Sequence, residues 1–296
     1  MASVPDVPRP HAILVVIPTL NEARHIAQVI ADLTAEPLPE ADLLFVVADG
    51  GSSDGTQDIV GRIAATRSDL LLLDNPKKLQ SAAVNLAVEQ YGEGRDLLIR
   101  CDAHADYPAG FLKSLVDAFD RGEADAIVVP MDSVGTTCFQ RAVGWVSDSK
   151  VGSGGSAHRG GAASGYVDHG HHALFRMDSF RAAGGYDPSF THNEDAELDC
   201  RQRALGSRIF LDADIRLRYA PRATPGKLAR QYFITKPLIT KNRSTPELPS
   251  ISVSRLTPNG VRGISRWTHT TSKAAIARRT CRLKSNAAPS PNPQIS

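Results

Sequence analysis

The chain has 296 residues, of which 42% are hydrophobic and 22% charged, an ordinary balance for a globular protein. Its formal net charge of +2 averages two unlike parts, because residues 1–235 carry 23 Lys and Arg against 31 Asp and Glu, whereas residues 236–296 carry 11 against 1. No run approaches the ~18 apolar residues of a membrane span, and residues 1–12 lack the apolar core of a signal peptide. We therefore expect a cytoplasmic protein that does not cross a bilayer.

The four cysteines lie at positions 101, 138, 200 and 281 and form no C-x-x-C pair. Their spacing indicates neither a zinc site nor a disulfide framework. A reducing cytosol suits cysteines of this kind.

Strand and helix signals alternate along the first 130 residues. Short apolar runs predict buried strands at 11–18, 43–48, 70–73, 96–101 and 124–130. The amphipathic segments between them predict helices at 21–33, 57–65, 81–91 and 111–119, with Asn21 in the N-cap position of the first. This alternation indicates a mostly parallel sheet with helices on both faces, in which ligands bind beyond the carboxyl ends of the strands. Pro18, Asp49 and Asp102 each fall at such an end.

The pattern changes after residue 131. Residues 132–170 show no sustained period and are rich in glycine towards their end, which is typical of a functional or disordered loop; we expect this segment to contact the acceptor of a reaction. A helix is predicted at 193–206, with Ala196, Cys200 and Ala204 on one stripe, followed by a last strand at 208–212. Residues 236–296 have too little apolar surface to fold and are predicted to be mostly disordered.

The loop "DGGSSDGT" (49–56) joins a strand to a helix. It is neither a P-loop nor a G-x-G-x-x-G loop. The Asp49 carboxylate is suited to accept a hydrogen bond from a base N–H or a hydroxyl group. The alternative is a plain turn in which Asp54 caps the following helix.

Asp102 and His104 follow a predicted strand in "RCDAHADYP". A carboxylate and an imidazole at this spacing can hold a Mn²⁺ or Mg²⁺ ion that bridges phosphates. The alternative is that Asp102 caps the helix beginning near Pro108 and His104 is a solvated loop residue.

Two further clusters carry reactive groups. In "HNEDAELD" (192–199), Glu194 and Asp195 open a helix, where one carboxylate can act as a general base or both can simply cap the helix. In "VDHGHH" (167–172) any of three histidines could be a third metal ligand, a phosphate donor or a loop residue; His169 and His171 share a side if the segment is extended.

The order and spacing of "VVIPTLNE", "VADGGSSDGT", the Asp102 segment and "NEDAELDCRQRALG" resemble the family 2 glycosyltransferases over residues 13–206. "RCDAHADYP", "DHGHHALFR" and "HNEDAELDCR" are most similar to the bacterial exopolysaccharide branch, of the succinoglycan-type glucosyltransferase. The resemblance implies a GT-A fold, an α/β domain with a mostly parallel sheet. It would occupy residues 12–235, with a nucleotide-sugar half at 12–130 and an acceptor and base half at 131–235, between a flexible N-terminus (1–11) and a basic tail (236–296).

The resemblance also implies roles for individual residues. Asp195 would be the catalytic base, with Glu194 as second candidate. Asp102 and His104 stand where the family has Asp-x-Asp, so that they would hold Mn²⁺ or Mg²⁺. Of the three histidines in "VDHGHH", His171 is our candidate for a third ligand. The nucleotide sugar would be bordered by Pro18, Thr19, Asn21, Glu22, Asp49, Gly50, Asp54, Lys78, Asp102 and Ala103, with Asp49 on the uracil. Lys77 is the alternative to Lys78 as a cation for the phosphates.

This assignment predicts the chemistry of the reaction. The metal ion would act as a Lewis acid on the departing diphosphate, and a single base with no enzymic nucleophile predicts single displacement with inversion. The expected partners are a UDP-sugar, with glucose as the sugar, and a lipid-linked saccharide acceptor. The family's Gln-x-x-Arg-Trp motif is absent, since the nearest feature is "ARQYF" (229–233), so one sugar is expected to be transferred rather than a polymer built.

The basic tail has two interpretations. It would either make peripheral contact with the anionic inner leaflet or result from a frameshift that replaced the original C-terminus, and the abrupt change at Thr235 favours the second.

Two rival functions stay open. A nucleotidyltransferase would carry a glycine-rich basic loop where this chain has "PTLNE". A non-catalytic or degenerate nucleotide-binding protein would act on a membrane through the tail, with no nucleic acid expected as partner.

Overall fold

The computed structural model describes residues 10–39, 41–122, 124–149, 163–190, 193–226 and 228–229. The predicted basic tail and most of the predicted flexible N-terminus lie outside these residues. Within them the chain folds around one twisted sheet with helices on both faces, so the predicted α/β class is confirmed.

Eight strands form the central sheet in the order β3-β2-β1-β4-β8-β5-β9-β7. Their bounds are His11–Thr19 (β1), Ala41–Asp49 (β2), Leu70–Asp74 (β3), Leu97–Arg100 (β4), Ala126–Val129 (β5), Gly165–Tyr166 (β7), His171–Arg176 (β8) and Ile209–Leu211 (β9). A second, two-stranded sheet pairs Met131–Ser133 (β6) with Leu217–Tyr219 (β10) in parallel. All five strands predicted in the first 130 residues are present.

The first four strands are parallel. β1 and β4 lie inside the sheet and are almost wholly buried, which explains their continuous apolar runs, whereas β3 is the partly exposed edge strand. The register places Thr19 beside Asp49, and Asp49 beside Asp74, at one carboxyl edge. β8 is the exception to the parallel pattern, because it lies antiparallel between β4 and β5. It therefore brings the start of the "HHALFR" segment to the same edge.

Seven helices flank the sheets in the described residues. Their bounds are Ile26–Thr34 (α1), Thr56–Ala64 (α2), Gln80–Tyr91 (α3), Phe111–Arg121 (α4), Cys138–Asp148 (α5), Met177–Ala182 (α6) and Glu194–Ala204 (α7). Residues of α1, α2 and α4 join the apolar core on one face of the sheet. Residues of α3, α6 and α7 join the core on the other face.

The expectation of an irregular segment after residue 131 is wrong for α5. The helix begins with a capping box, because the side chain of Thr137 accepts a hydrogen bond from the Gln140 N–H and the side chain of Gln140 accepts one from the Thr137 N–H. The T-x-x-Q spacing that signals this start was present in the sequence. The glycine-rich residues 150–162 lie outside the described part of the chain.

Two helix details also differ from the predictions. α1 begins at Ile26, since Asn21 takes a left-handed conformation (φ 57°) and lies in the preceding turn rather than at the N-cap. The buried face of α7 contains Leu198 and the polar side chains of Glu197, Asp199, Arg201 and Gln202, instead of the predicted alanine and cysteine stripe. Ion pairs, not apolar contacts, anchor much of this helix.

Cys101 is a buried free thiol and Cys138 an exposed one. Within the described ranges, no helix has the length and apolar character needed to cross a membrane.

Candidate active site

A cavity of about 180 Å³ opens at the carboxyl ends of β1 and β4. Its lining includes His104 and six of the ten predicted nucleotide-sugar residues, namely Pro18, Thr19, Glu22, Lys78, Asp102 and Ala103, together with Leu20, Asn75, Leu79 and Gln80. A larger, open cavity of about 610 Å³ lies between α4 and β9 and contains none of the predicted residues. We place the site at the smaller cavity because the ionisable groups converge there.

The Asp49 carboxylate is buried and held by its own loop. Its Oδ2 accepts hydrogen bonds from the N–H groups of Gly51 (2.9 Å) and Ser52 (2.8 Å) and from Gln57 Nε2 (2.6 Å), and its Oδ1 accepts one from Ser52 Oγ (2.5 Å). Burial alone would raise the pKa of Asp49, but these hydrogen bonds outweigh it and lower the pKa. Oδ1 has the fewer partners of the two oxygens.

The other four predicted residues, Asn21, Asp49, Gly50 and Asp54, do not line the cavity. Asn21 and Asp54 connect the loops beside it. Asn21 Oδ1 accepts a hydrogen bond from the Ser53 N–H (2.9 Å), and the Asn21 N–H donates to Ser52 Oγ (2.7 Å). Asp54 accepts from the N–H groups of Thr56, at the start of α2, and of Ala23. The loop after β1 is thereby tied to the loop after β2.

Asp102 lies just beyond β4 and does not cap α4, whose N-cap is Gly110. Its Oδ1 accepts a hydrogen bond from Gln80 Nε2 (2.8 Å) and lies 3.5 Å from Arg100 Nη2, while its Oδ2 lies 3.5 Å from His171 Nε2. Burial alone would raise the pKa of Asp102, but His171, Arg100 and His104 together hold it well below its ordinary value. The carboxylate is therefore ionised when the site works near neutral pH.

His104 faces the loop after β1. Its Nδ1 lies 3.0 Å from Glu22 Oε1, and the ring is 45% exposed. Because Nδ1 faces the Glu22 carboxylate, the other ring nitrogen, Nε2, points away from Glu22. His104 and Asp102 line the same cavity.

The predicted metal ligands are partly brought together. Asp102 and His171 are adjacent, whereas His104 is paired with Glu22. Among the residues that the structure describes, no three His, Cys, Asp or Glu side chains are already arranged to hold a metal ion. The donor set of one carboxylate and two imidazoles nevertheless fits Mn²⁺, which accepts oxygen and nitrogen ligands.

The Asp195 carboxylate is fixed by two donors from other elements. Its Oδ1 accepts hydrogen bonds from Arg100 Nη1 (2.5 Å) and from the Tyr186 hydroxyl (2.8 Å). Arg100 is 4% exposed and Tyr186 is 1% exposed, so both donors are rigidly packed. Its Oδ2 lies 3.9 Å from His171 Nδ1. Simple helix capping does not explain Asp195, because its carboxylate is directed into this cluster.

Arg100 connects three carboxylates of the site, those of Asp102, Glu194 and Asp195. It contacts Asp195 and Asp102, and its Nη2 also lies 3.7 Å from Glu194 Oε1. Burial alone would lower the pKa of Arg100, but the surrounding carboxylates, with Asp195 the strongest, raise it well above its ordinary value. The pKa of Glu194 is raised by burial and by the charge of Asp195, with Arg100 opposing. Of Glu194 and Asp195, Asp195 is the one whose carboxylate is fixed by hydrogen bonds from Arg100 and Tyr186.

The two described histidines of "VDHGHH" both face α7. His171 bridges Asp102 and Asp195, while His169 Nδ1 lies 2.9 Å from Oδ2 of the fully buried Asp199. Burial would lower the pKa of His169, but the hydrogen bond with Asp199 and the nearby negative charges raise it. The prediction that His169 and His171 share a side is consistent with this arrangement; the side chain of His172 lies outside the described residues.

Four residues of the site were missed by sequence reasoning: Arg100, Tyr186, Gln80 and Asn75. An arginine at the end of an otherwise apolar strand was a signal for the first, because a buried charge requires partners. Asn75 gave none. Its side chain is 3% exposed, its Nδ2 donates to the Leu79 carbonyl (3.0 Å), and its Oδ1 has no hydrogen-bond partner among the described atoms.

Comparison with known proteins shows the family of the chain. Residues 14–184 match the model of the family described as "Glycosyl transferase family 2". The chain is 50% identical over 221 residues to "Succinoglycan biosynthesis protein ExoA" of Rhizobium meliloti, an alignment that covers 74% of this chain and 66% of that protein. The chain thus spans just under two thirds of this relative.

Solved structures share the fold. A mannosyltransferase from Pyrobaculum calidifontis, in complex with GDP-Man and Mn²⁺, is 20% identical with a TM-score of 0.58, covering 77% of this chain and 61% of its own. TarS of S. aureus with UDP is 15% identical with a TM-score of 0.53, covering 71% and 60%. GalNAc-T7 with UDP, GalNAc and Mn²⁺ is 13% identical with a TM-score of 0.57, covering 73% and 45%. The predicted GT-A fold is confirmed.

Proposed function

The chain belongs to glycosyl transferase family 2, and from that premise we propose that it transfers one sugar, glucose, from UDP to a lipid-linked saccharide acceptor in exopolysaccharide synthesis. The observation that carries the proposal is the placement of Asp195. This rigidly held carboxylate shares Arg100 and His171 with Asp102, which lines the cavity.

The cavity supplies groups for a nucleoside diphosphate. Asn75 Oδ1 is a buried acceptor that a base N–H can satisfy, and its orientation is fixed because Nδ2 donates to Leu79. Oδ1 of Asp49 is the second acceptor proposed for the uracil. Lys78 is exposed at the cavity rim and supplies the positive charge for the phosphates. Lys77 is absent from the lining.

We assign a divalent cation, Mn²⁺ or Mg²⁺, to Asp102, His104 and His171. When bound, it would supply a Lewis acid for the negative charge on the departing UDP. The two oxygens of Asp102 face different partners. Gln80 and Arg100 contact Oδ1, which leaves Oδ2 on the side of His171.

Asp195 acts as the general base in this proposal. Arg100 and Tyr186 fix Oδ1, so Oδ2 is the oxygen that takes the proton from the acceptor hydroxyl. The acceptor oxygen then forms the bond to the anomeric carbon as the bond to UDP breaks. A single displacement of this kind inverts the anomeric configuration.

The test is transfer of labelled glucose from UDP-glucose to lipid extracted from exopolysaccharide-producing membranes. Asp195→Asn is expected to lower the rate by about 10²–10⁴-fold while leaving UDP affinity unchanged. Glu194→Gln should have the smaller effect, and Asp178→Asn, which changes an exposed carboxylate on α6, should have none. A product with retained configuration, or full activity in Asp195→Asn, would refute the mechanism.

A further inference from the structure

The pairing of His104 with Glu22 determines which nitrogen of the imidazole can bind a ligand. Nδ1 of His104 lies 3.0 Å from Glu22 Oε1. A carboxylate oxygen at this distance favours the tautomer with its proton on Nδ1, because a lone pair there would face the negative oxygen. Nε2 then carries the lone pair that a metal ion requires of a histidine ligand. The contact with Glu22 is thus compatible with metal binding by His104.

The two kinds of ligand proposed for the cation differ in how much preparation they need. Either oxygen of the Asp102 carboxylate can ligate a cation, whereas a neutral imidazole ligates only through the nitrogen that has no proton. The site therefore requires control of the tautomer at His104, a requirement that Asp102 does not have. Glu22 stands where such control is exerted, because it faces the opposite ring nitrogen.

The ring of His104 also needs a partner to fix its orientation. Its side chain is 45% exposed, whereas that of Glu22 is only 21% exposed. Exposed side chains without a fixed partner change rotamer on the nanosecond scale or faster. Both residues line the cavity that Asp102 lines. The contact with Glu22 therefore favours one orientation of the His104 ring at the proposed cation site.

The backbone of Glu22 is itself held in place by two elements. Its N–H donates to Thr56 Oγ1 (2.9 Å), and its carbonyl accepts from the N–H groups of His25 and Ile26 (2.9 Å each) at the start of α1. Thr56 is fully buried and its hydroxyl donates to Asp54 Oδ1 (2.5 Å). The tie between the loops after β1 and β2 thus supports the residue that contacts His104.

We propose that Glu22 is a positioning residue for the cation site, which holds His104 with Nε2 available to the divalent cation. The inference rests on the proposed function, because it needs that cation. It adds to the proposed function a role for Glu22 that acts through His104. Partners of this kind fix the tautomer and orientation of a ligating histidine, and their loss typically lowers metal affinity about 10–100-fold.

The test is a titration of the full chain with Mn²⁺ in the presence of UDP, followed by the electron paramagnetic resonance signal of free Mn²⁺. Glu22→Leu is expected to weaken Mn²⁺ binding about tenfold or more. Glu22→Gln keeps an acceptor oxygen for the Nδ1 proton and should lose less. Glu89→Gln, which changes an exposed carboxylate on α3, is the matched control and should bind Mn²⁺ as the wild type does.

The same substitution in the His104→Ala variant separates positioning from other effects. If Glu22 acts through His104, Glu22→Leu should weaken Mn²⁺ binding no further in that background. A loss of equal size in both backgrounds would assign the effect to the charge of Glu22 or to its loop and would overturn the proposal. A loss in Glu22→Gln as large as that in Glu22→Leu would do the same.

The wild-type chain distinguishes failure of this inference from failure of the proposed function. If it binds Mn²⁺ with UDP and Glu22→Leu binds Mn²⁺ equally tightly, only the role of Glu22 is refuted. If the wild-type chain itself binds no Mn²⁺ with UDP, the cation site and the role of Glu22 are refuted together.

Discussion

Helices α5 and α7 break the usual rule of burial in opposite directions. α7 buries charged groups, including Arg201, which is fully buried and makes two hydrogen bonds to the Glu197 carboxylate. α5 instead exposes Trp145 and buries Gln140. The charges of α7 find their partners inside the protein, whereas the apolar side chains of α5 face outwards. Internal partners therefore offset the burial of charge in α7, whereas the exposed Trp145 of α5 is expected to contribute little to stability.

The largest expected effect is in α7. Arg201→Met leaves the Glu197 carboxylate buried without its cation, and we expect unfolding in urea to show a loss of about 3–5 kcal/mol. Arg203→Met is the matched control on the same helix, because Arg203 and its partner Asp168 are exposed, and it should cost less than about 1 kcal/mol. Adding Glu197→Leu to Arg201→Met should restore most of the stability; equal losses in both single variants would contradict the role assigned to burial.

The loop of Asp49 provides a buried charge held by neutral donors instead of an ion pair. At pH 7 Asp49→Asn should lose roughly 1.5–3 kcal/mol, as expected for hydrogen bonds to a charged group. Because the pKa of Asp49 is lowered in the folded state, its stabilisation is present above the ordinary value of 3.8 and is lost as pH falls through the lower folded pKa. Melting temperatures measured from pH 7 downwards should therefore converge for wild type and variant; a constant difference would contradict the shift.

The N-terminus of α5 should give an intermediate effect. Thr137→Ala removes the side-chain acceptor of the capping box, and a loss of about 1 kcal/mol is expected in denaturant unfolding. Thr137→Ser keeps the hydroxyl group and is the control. If both variants unfold alike, the capping box does not stabilise the helix.

The smallest effect on stability should come from the largest side chain of α5, Trp145. Trp145→Ser is expected to change the free energy of unfolding by no more than about 0.5 kcal/mol, because the side chain is 79% exposed. A loss of several kcal/mol would show that Trp145 belongs to the core, and the contrast with α7 would fail.

The sequence predicted the parallel half of the fold well. The runs at 11–18 and 43–48 lie in strands inside the sheet, where continuous apolar stretches have few other stable environments. The run at 70–73 forms the edge strand β3 and is only partly buried. α5 was missed because its apolar residues face outwards, so it lacks the usual inward stripe. The buried face of α7 was assigned wrongly for the complementary reason, since ion pairs replaced apolar contacts there.

The candidate site was predictable where its residues follow strands. Asp102 and His104 come after β4, and six predicted residues line one cavity. Asn21 and Asp54 were assigned to the nucleotide, but the structure uses them to tie two loops together. The partners of Asp195 could not be predicted, because Arg100 and Tyr186 lie 95 and 9 residues away in sequence and meet it only in the folded chain.

The central claim is that Asp102 and His104 help to hold a nucleoside diphosphate through a divalent cation. Titration calorimetry with UDP, with and without Mn²⁺, tests it most directly. We predict Mn²⁺-dependent binding by the wild-type chain, weakened about tenfold or more in Asp102→Ala and His104→Ala and unchanged in Lys77→Ala. Absence of UDP binding under both conditions, or binding that is equally tight in all variants, would contradict the account.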